Sequence, residues 1–318
     1  QMCIRDSSLI DADGHIKTMK YLSFNIDNVN GGKILFDLYA QTGDERYKIA
    51  MDTLRKQMAE QPRTSEGGFW HKLRYPHQMW LDGIFMASPY LVQYGATFNE
   101  PALFDEATKQ ILLINSKTYD PATGLFYHGW DESREQKWSN PETGCSPNFW
   151  SRSIGWYGAA IVDVLDFLPQ ETAGRDSIIQ ILQGLAKAIV KYQDPSSGTW
   201  YQVTDQGARE GNYLESSATA LFIYTLAKAI NKGYIGNEYI EPTQKAFDGM
   251  VKTFTRLEED GSYTITNCCA VAGLGGDSKR YRDGSFEYYI SEPIIENDPK
   301  SVGSFILAAI EYEKMTKK

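Results

Sequence analysis

Cysteine is scarce. The 318-residue chain has four (Cys3, Cys145, Cys268 and Cys269), with neither zinc-site spacing nor the density that staples small secreted domains. An adjacent pair such as Cys268–Cys269 rarely bridges to itself, so all four read as free thiols, a weak pointer to a reducing compartment. With only four histidines, no convincing metal-ligand set is visible, and neither a metal nor another cofactor is expected. No run reaches the roughly 18 apolar residues of a membrane span. Positive charge is in deficit, 32 Lys and Arg against 41 Asp and Glu, for a net charge of −9. That balance argues against nucleic acid and anionic membrane surfaces as partners. It also means that an acidic ligand would have to be drawn in by local Arg, His or Lys. Linker-like Pro-rich, Gly/Ser-rich or single-charge runs are missing, so residues 1–318 read as one domain with ample core. The opening QMCIRDSSLIDADG carries no signal-peptide pattern and does not start with Met. A natural start further upstream is expected, and the compartment is not readable from this end.

Aromatic residues are abundant, at 13% with 20 Tyr and 7 Trp. Six of the Trp, and His71, His77 and His128, fall between Trp70 and Trp156. An aromatic-rich core is the plain explanation. The mixing of Trp with His, Asp and Arg in one stretch tilts the reading towards a site.

Helical periodicity predicts helices over 32–42, 44–60, 79–95, 101–115, 150–167, 174–193, 213–231, 236–255 and 301–316. Between them recur glycine–aromatic segments: GGFWHK (67–72), TGLFYHGW (123–130), GTWYQV (198–203) and DGSYTI (260–265). Their glycines at 68, 124, 198 and 261 are separated by about two helices plus connections. Each segment precedes a helix rich in small and apolar residues, near Trp80, Trp150, Tyr213 and Ser301, and follows a more amphipathic one, such as AFDGMVKTFTRLEE. Inner, buried helices thus alternate with outer ones exposed on one face. The pattern predicts an all-α toroid of hairpins with aromatic turns at its mouth; a linear helical solenoid is the alternative. The visible helices leave a six-hairpin ring short of its N-terminal helix or helices.

Four clusters carry the chemistry. In HKLRYPHQMWLDGIFMASPYL (71–91), Asp82 lies among Trp80, Leu81, Ile84, Phe85 and Met86. It is a paired structural acid, a carboxyl with raised pKa, or a helix-end group. LFYHGWDES holds His128, Trp130 and Asp131, and WSRSIGW holds Trp150, Arg152 and Trp156 at a helix start. Arg152 could face a cavity or lie over Trp faces at the surface. FNIDNVNGGKILFDLYAQTGD places Asp27 before a helix, where a turn or N-cap role is common.

Together, WLDGIFMA, YHGWDES and W-x-R-x-x-x-W resemble the unsaturated rhamnogalacturonyl hydrolases, glycoside hydrolase family 105, related to the unsaturated glucuronyl hydrolases of family 88. The resemblance runs from about Asp27 through NCCAVAGLGG, DGSFEYYISEP and NDPKSVGSFILAAIEYE. It implies an (α/α)6 barrel, with Asp82 as general acid/base and Asp27 as a second essential acid. It also implies a sugar pocket lined by His71, Trp80, His128, Trp150, Arg152 and Trp156. Asp131 stands beside this group without a catalytic role. The upstream segment that completes the pocket in relatives is expected to be absent here.

The implied reaction releases 4,5-unsaturated galacturonic acid from lyase-generated pectin fragments by hydrating the double bond. Asp27 would hold Asp82's proton by like-charge repulsion, and Arg152 or a His would pair with the uronate carboxylate. The expected partner is an acidic oligosaccharide, and the expected state a monomer or weak homo-oligomer. Rival readings are glucuronyl hydrolysis of glycosaminoglycan fragments and a conventional glycosidase pairing Asp82 with Asp27 or Asp131. A non-catalytic sugar-binding toroid and a helical-repeat scaffold are the non-enzymatic ones.

Overall fold

The computed structural model describes residues 8–276 and 280–317. Helices dominate: α1 (Asp27–Asn30), α2 (Lys33–Thr42), α3 (Glu45–Glu60), α4 (Leu81–Phe98), α5 (Ala102–Thr118), α6 (Ser151–Val164), α7 (Arg175–Lys191), α8 (Ser216–Asn231), α9 (Ile240–Phe254), α10 (Phe286–Ser291) and α11 (Pro299–Thr316). Every helix expected from periodicity is present. Helices α4, α6 and α8 are the inner ones, packing in succession, with α11 against α8. Small residues permit this. A Cβ at Gly155 would lie 2.8 Å from the Leu221 side chain, and one at Gly158 would lie 2.9 Å from Thr225. Outer helices bury one stripe only. On α7 this is Ile178, Leu182, Leu185 and Ile189, all fully buried. Each contributes roughly 1.5–3 kcal/mol of burial, while Asp176, Lys187 and Lys191 lie outside the stripe. Among the described residues, no helix is long and apolar enough to cross a membrane.

The recurring turns share one chemistry. In DPATG and DPSSG, the side chains of Asp120 and Asp194 accept from the backbone N–H groups of Thr123 and Ser197. Gly124, Gly198 and Gly261 then adopt positive φ. In the first turn the left-handed glycine is Gly67 rather than Gly68. Gly68 is there for space, since a Cβ on it would meet Met79 Sδ at 2.1 Å.

The purely helical reading misses short antiparallel ladders in the turns: β1 (Gln78–Trp80) with β2 (Gly129–Asp131), β3 (Thr255–Leu257) with β4 (Tyr263–Ile265), and β5 (Cys268–Cys269) with β6 (Ile294–Ile295). The helix expected from residue 79 therefore starts at Leu81, and Asp82 lies in its first turn. Cys145, Cys268 and Cys269 are buried free thiols; Cys3 lies outside the described residues.

Candidate active site

The β1–β2 ladder pairs Trp80 with Gly129, and Leu81 N–H donates to the carbonyl of His128 at 3.0 Å. Gly129 makes the approach possible, because a Cβ there would stand 2.9 Å from the Trp80 ring. The ladder thus sets His128 beside the first turn of α4, with its Nε2 3.1 Å from Asp82 Oδ2. His128 is fully buried and its Nδ1 lies 2.8 Å from the Tyr289 hydroxyl. Asp82 faces a cleft of about 1060 Å³, also lined by Asp27, His71, Trp80, Trp150, Arg152 and Trp156. Seven of the eight residues singled out in the sequence line this cleft, and His128 backs Asp82 from behind. Burial pushes the Asp82 carboxyl up, but the His128 imidazole, assisted by His71, outweighs it and leaves Asp82 below the usual carboxylate range. Of the sequence alternatives, the paired acid is the one observed.

Asp27 opens α1 at the cleft wall. Lys72 Nζ lies 2.5 Å from its Oδ2 and His71 Nε2 lies 3.4 Å from its Oδ1. Its charge is therefore already matched, and His128, not Asp27, dominates the electrostatics at Asp82. This corrects the expected like-charge repulsion. Lys72 was not singled out in the sequence, although its place beside His71 in HKLR was the available signal.

His71 stacks on Trp80 with centroids 4.4 Å apart and 16° between planes. Burial pushes its pKa down to about 4, against the upward pull of Asp27. The unfolded chain then binds a proton near pH 6.5 that the folded chain refuses until about pH 4. Stability is full above 6.5 and declines as pH falls through this window, by about 3 kcal/mol in total from this residue. Urea midpoints across the window should fall more steeply for the parent than for His71→Gln; parallel slopes would remove His71 as the source.

Trp150 is the N-cap of α6 and Trp156 lies in its second turn, packed on Phe85 at 4.5 Å. Arg152 lies 4.8 Å over the Trp150 ring, but it is only 1% exposed, so this is no surface snorkel. Its Nη1 donates to the carbonyl of Cys269 at 2.5 Å and to Ser217 Oγ at 3.1 Å. It also stands 3.8 Å from Glu215. Arg152 therefore enters the site with its charge balanced by Glu215, while its buried Nε has no hydrogen-bond partner among the described residues. Glu215, completely buried, accepts from Ser217 Oγ, Ala218 N–H and Cys269 N–H. The sequence reading missed it; an acid directly before a helix was its signal.

Asp131 is buried and is not among the residues that line the cleft. It accepts from Ser133 N–H and hydroxyl and from Gln136 N–H, which shapes the loop that follows β2. Among the described residues, Asp11, Asp13 and His15 are the group whose ligating atoms come within 4.8 Å of one another. They are not buried, and Asp11 Oδ1 already accepts from the N–H groups of Asp13 and His15, as in an Asx turn.

A mostly helical chain that sets a buried carboxyl–imidazole pair under an aromatic cleft has the parts for acid–base chemistry on a bound ligand. Residues 6–316 match the family model described as Glycosyl Hydrolase Family 88, and the chain belongs to that family; it is a glycosidase. It is similar to a solved glycoside hydrolase of family 105 from C. acetobutylicum, at 44% identity and a TM-score of 0.96, covering 98% of this chain and 86% of that one. It is 37% identical over 230 residues to Protein Atu3128 of Agrobacterium fabrum, covering 71% of this chain and 97% of the relative. The unsaturated rhamnogalacturonyl hydrolase YesR of Bacillus subtilis is 26% identical over 243 residues, 74% of this chain and 65% of that protein.

Proposed function

We propose that this chain is a single (α/α)6-barrel hydrolase that removes a 4,5-unsaturated galacturonic acid from the non-reducing end of lyase-generated rhamnogalacturonan fragments. The observation that carries this reading is the Asp82–His128 pair at 3.1 Å on the floor of the cleft. The carboxyl, held ionised at rest by the imidazole beside it, stands where His128 can relay a proton to it for delivery to substrate and recovery. The similarity to YesR supports the rhamnogalacturonan side, and the succession of inner and outer helices supports the barrel.

The unsaturated sugar is a vinyl ether, O5–C5=C4. Asp82 donates its proton to C4, leaving an oxocarbenium centre at C5. Water adds at C5 and returns a proton to Asp82, giving a hemiketal. Cleavage of the C5–O5 bond makes a C5 ketone and a C1 hemiacetal, which expels the leaving sugar with its own proton. The sum is one water consumed and Asp82 regenerated. Asp27, already held by Lys72 and His71, is placed to accept a sugar hydroxyl, and Trp150 and Trp156 offer apolar faces to the ring.

Incubation with the lyase-generated disaccharide of unsaturated galacturonate and rhamnose, followed at the ultraviolet band of the conjugated double bond, tests this. The absorbance should fall and a ring-opened keto acid appear. Release of an intact cyclic sugar would instead indicate a paired-carboxylate glycosidase, and turnover confined to glycosaminoglycan disaccharides would move the substrate to that class.

A further inference from the structure

The chain carries a net charge of −9, yet its cleft is lined by six cations (Lys72, Arg74, Arg152, Arg280, Arg282 and Lys300) against three acids, Asp27, Asp82 and Glu292. Four of the cations have carboxylate partners: Lys72 with Asp27, Arg152 with Glu215, Arg280 with Glu292 and Lys300 with Asp298. Among the described residues, neither Arg74 nor Arg282 has one. Both meet on Tyr75. The Arg74 guanidinium lies 4.8 Å over its ring, and Arg282 Nη2 stands 3.4 Å from its hydroxyl. Tyr75 is stacked on Trp80 at 4.9 Å, and Trp80 on His71. The two arginines therefore sit outward of the Asp82 floor, across a continuous aromatic stack.

Arg282 is positioned by its surroundings. Its backbone exchanges two hydrogen bonds with Gly275, at 2.8 and 3.0 Å. Gly273 leaves room for its guanidinium, since a Cβ there would lie 2.6 Å from Arg282 Nη1 and 3.4 Å from the Trp80 ring. Two guanidiniums anchored on the ring and the hydroxyl of one tyrosine, neither with a carboxylate partner among the described residues, leave positive charge available to a planar or tetrahedral oxyanion.

We infer that Arg74 and Arg282 form an outer subsite for an anionic group on the leaving portion of the substrate, either the carboxylate of a further uronate or a sulfate ester on the neighbouring sugar. The inference rests on the reading that the cleft takes an unsaturated oligosaccharide, and it adds that a charged leaving portion is preferred over a neutral one. A longer fragment would thus be held at both ends, by the aromatic floor and by the arginine rim.

The test is calorimetric binding to the Asp82→Asn protein, which does not depend on turnover. Three ligands are compared: the neutral-rhamnose unsaturated disaccharide, the unsaturated tetrasaccharide of alternating uronate and rhamnose, and the disaccharide with a sulfate ester on rhamnose. At least one charged ligand should bind about tenfold or more tighter than the neutral one, with the preference shrinking as salt rises. Adding Arg74→Gln and Arg282→Gln should collapse the ratio towards one, while Arg282→Lys, which keeps the charge, should retain part of it. Gain with the tetrasaccharide alone assigns the carboxylate, and gain with the sulfate alone assigns the ester. Equal binding of all three ligands, no binding of any, or a preference that survives removal of both arginines overturns the subsite. Turnover of the neutral disaccharide by the parent protein reports separately on the reaction. Arginine-dependent binding without turnover would sink the reaction and leave the subsite standing.

Discussion

Asp82→Asn folds as the parent does and loses turnover of the unsaturated disaccharide by about 10³- to 10⁴-fold, the range of general acid–base catalysis. The amide has the carboxylate's shape but cannot pass a proton to C4 or take one from water. The fold is spared because a buried charge is removed and none is created; His128 keeps its contact with the Tyr289 hydroxyl. Persistence of the double-bond absorbance with unchanged circular dichroism is the readout, and retained activity would end the assignment. His128→Asn tests the electrostatics of the same pair. The imidazole holds the Asp82 carboxyl down against burial, so its removal leaves burial unopposed and the carboxyl rises. Whatever activity remains should keep its proton to higher pH, moving the alkaline limb of the kcat/KM profile upward. A limb that stays in place would mean that His128 does not set the proton affinity of Asp82.

Glu215→Ala should destabilise the fold by about 3–5 kcal/mol, the cost of breaking a buried ion pair by removing one partner. Arg152 would be left in a water-poor site with the carbonyl of Cys269 and the Ser217 hydroxyl for company. The N–H groups of Ala218 and Cys269 would also lose their acceptor. Arg152→Ala should destabilise for the mirror-image reason, in addition to weakening substrate binding. The double variant Arg152→Met/Glu215→Gln should recover much of the stability lost by either single change, because no lone charge remains buried, but not the activity. Urea or thermal midpoints of the parent, Arg152→Met, Glu215→Gln and their double variant close the cycle and give the coupling directly. Additive losses would show that the two residues act independently.

Much of this molecule is legible in its sequence. Outer helices such as Ile240–Phe254 announce themselves by a buried stripe of Thr243, Ala246, Met250 and Phe254. Inner ones do so by being apolar or small all round, as in Ser216–Asn231. The aspartate–glycine turns carry their conformation in their own residues, and the motif resemblance led to the family that the whole chain matches. The short ladders were not legible, because two- or three-residue strands have no period to detect and exist only where two turns meet. The same holds for α10 (Phe286–Ser291), whose single turn and a half lies below what periodicity resolves.

The sequence by itself determined which side chains are available, which segments coil, and which faces must be buried, since helix period and turn chemistry act over a few residues. Tertiary structure alone decided that His128 would meet Asp82, that Tyr289 would meet His128 from the far end of the chain, and that Glu215 would balance Arg152. It also decided the sign of the shift at Asp82. Burial by itself would have raised that carboxyl, and only the distance to an imidazole on another turn reverses the outcome. Charge interactions in a dry interior depend on separation and exposure, and neither quantity is written in local sequence.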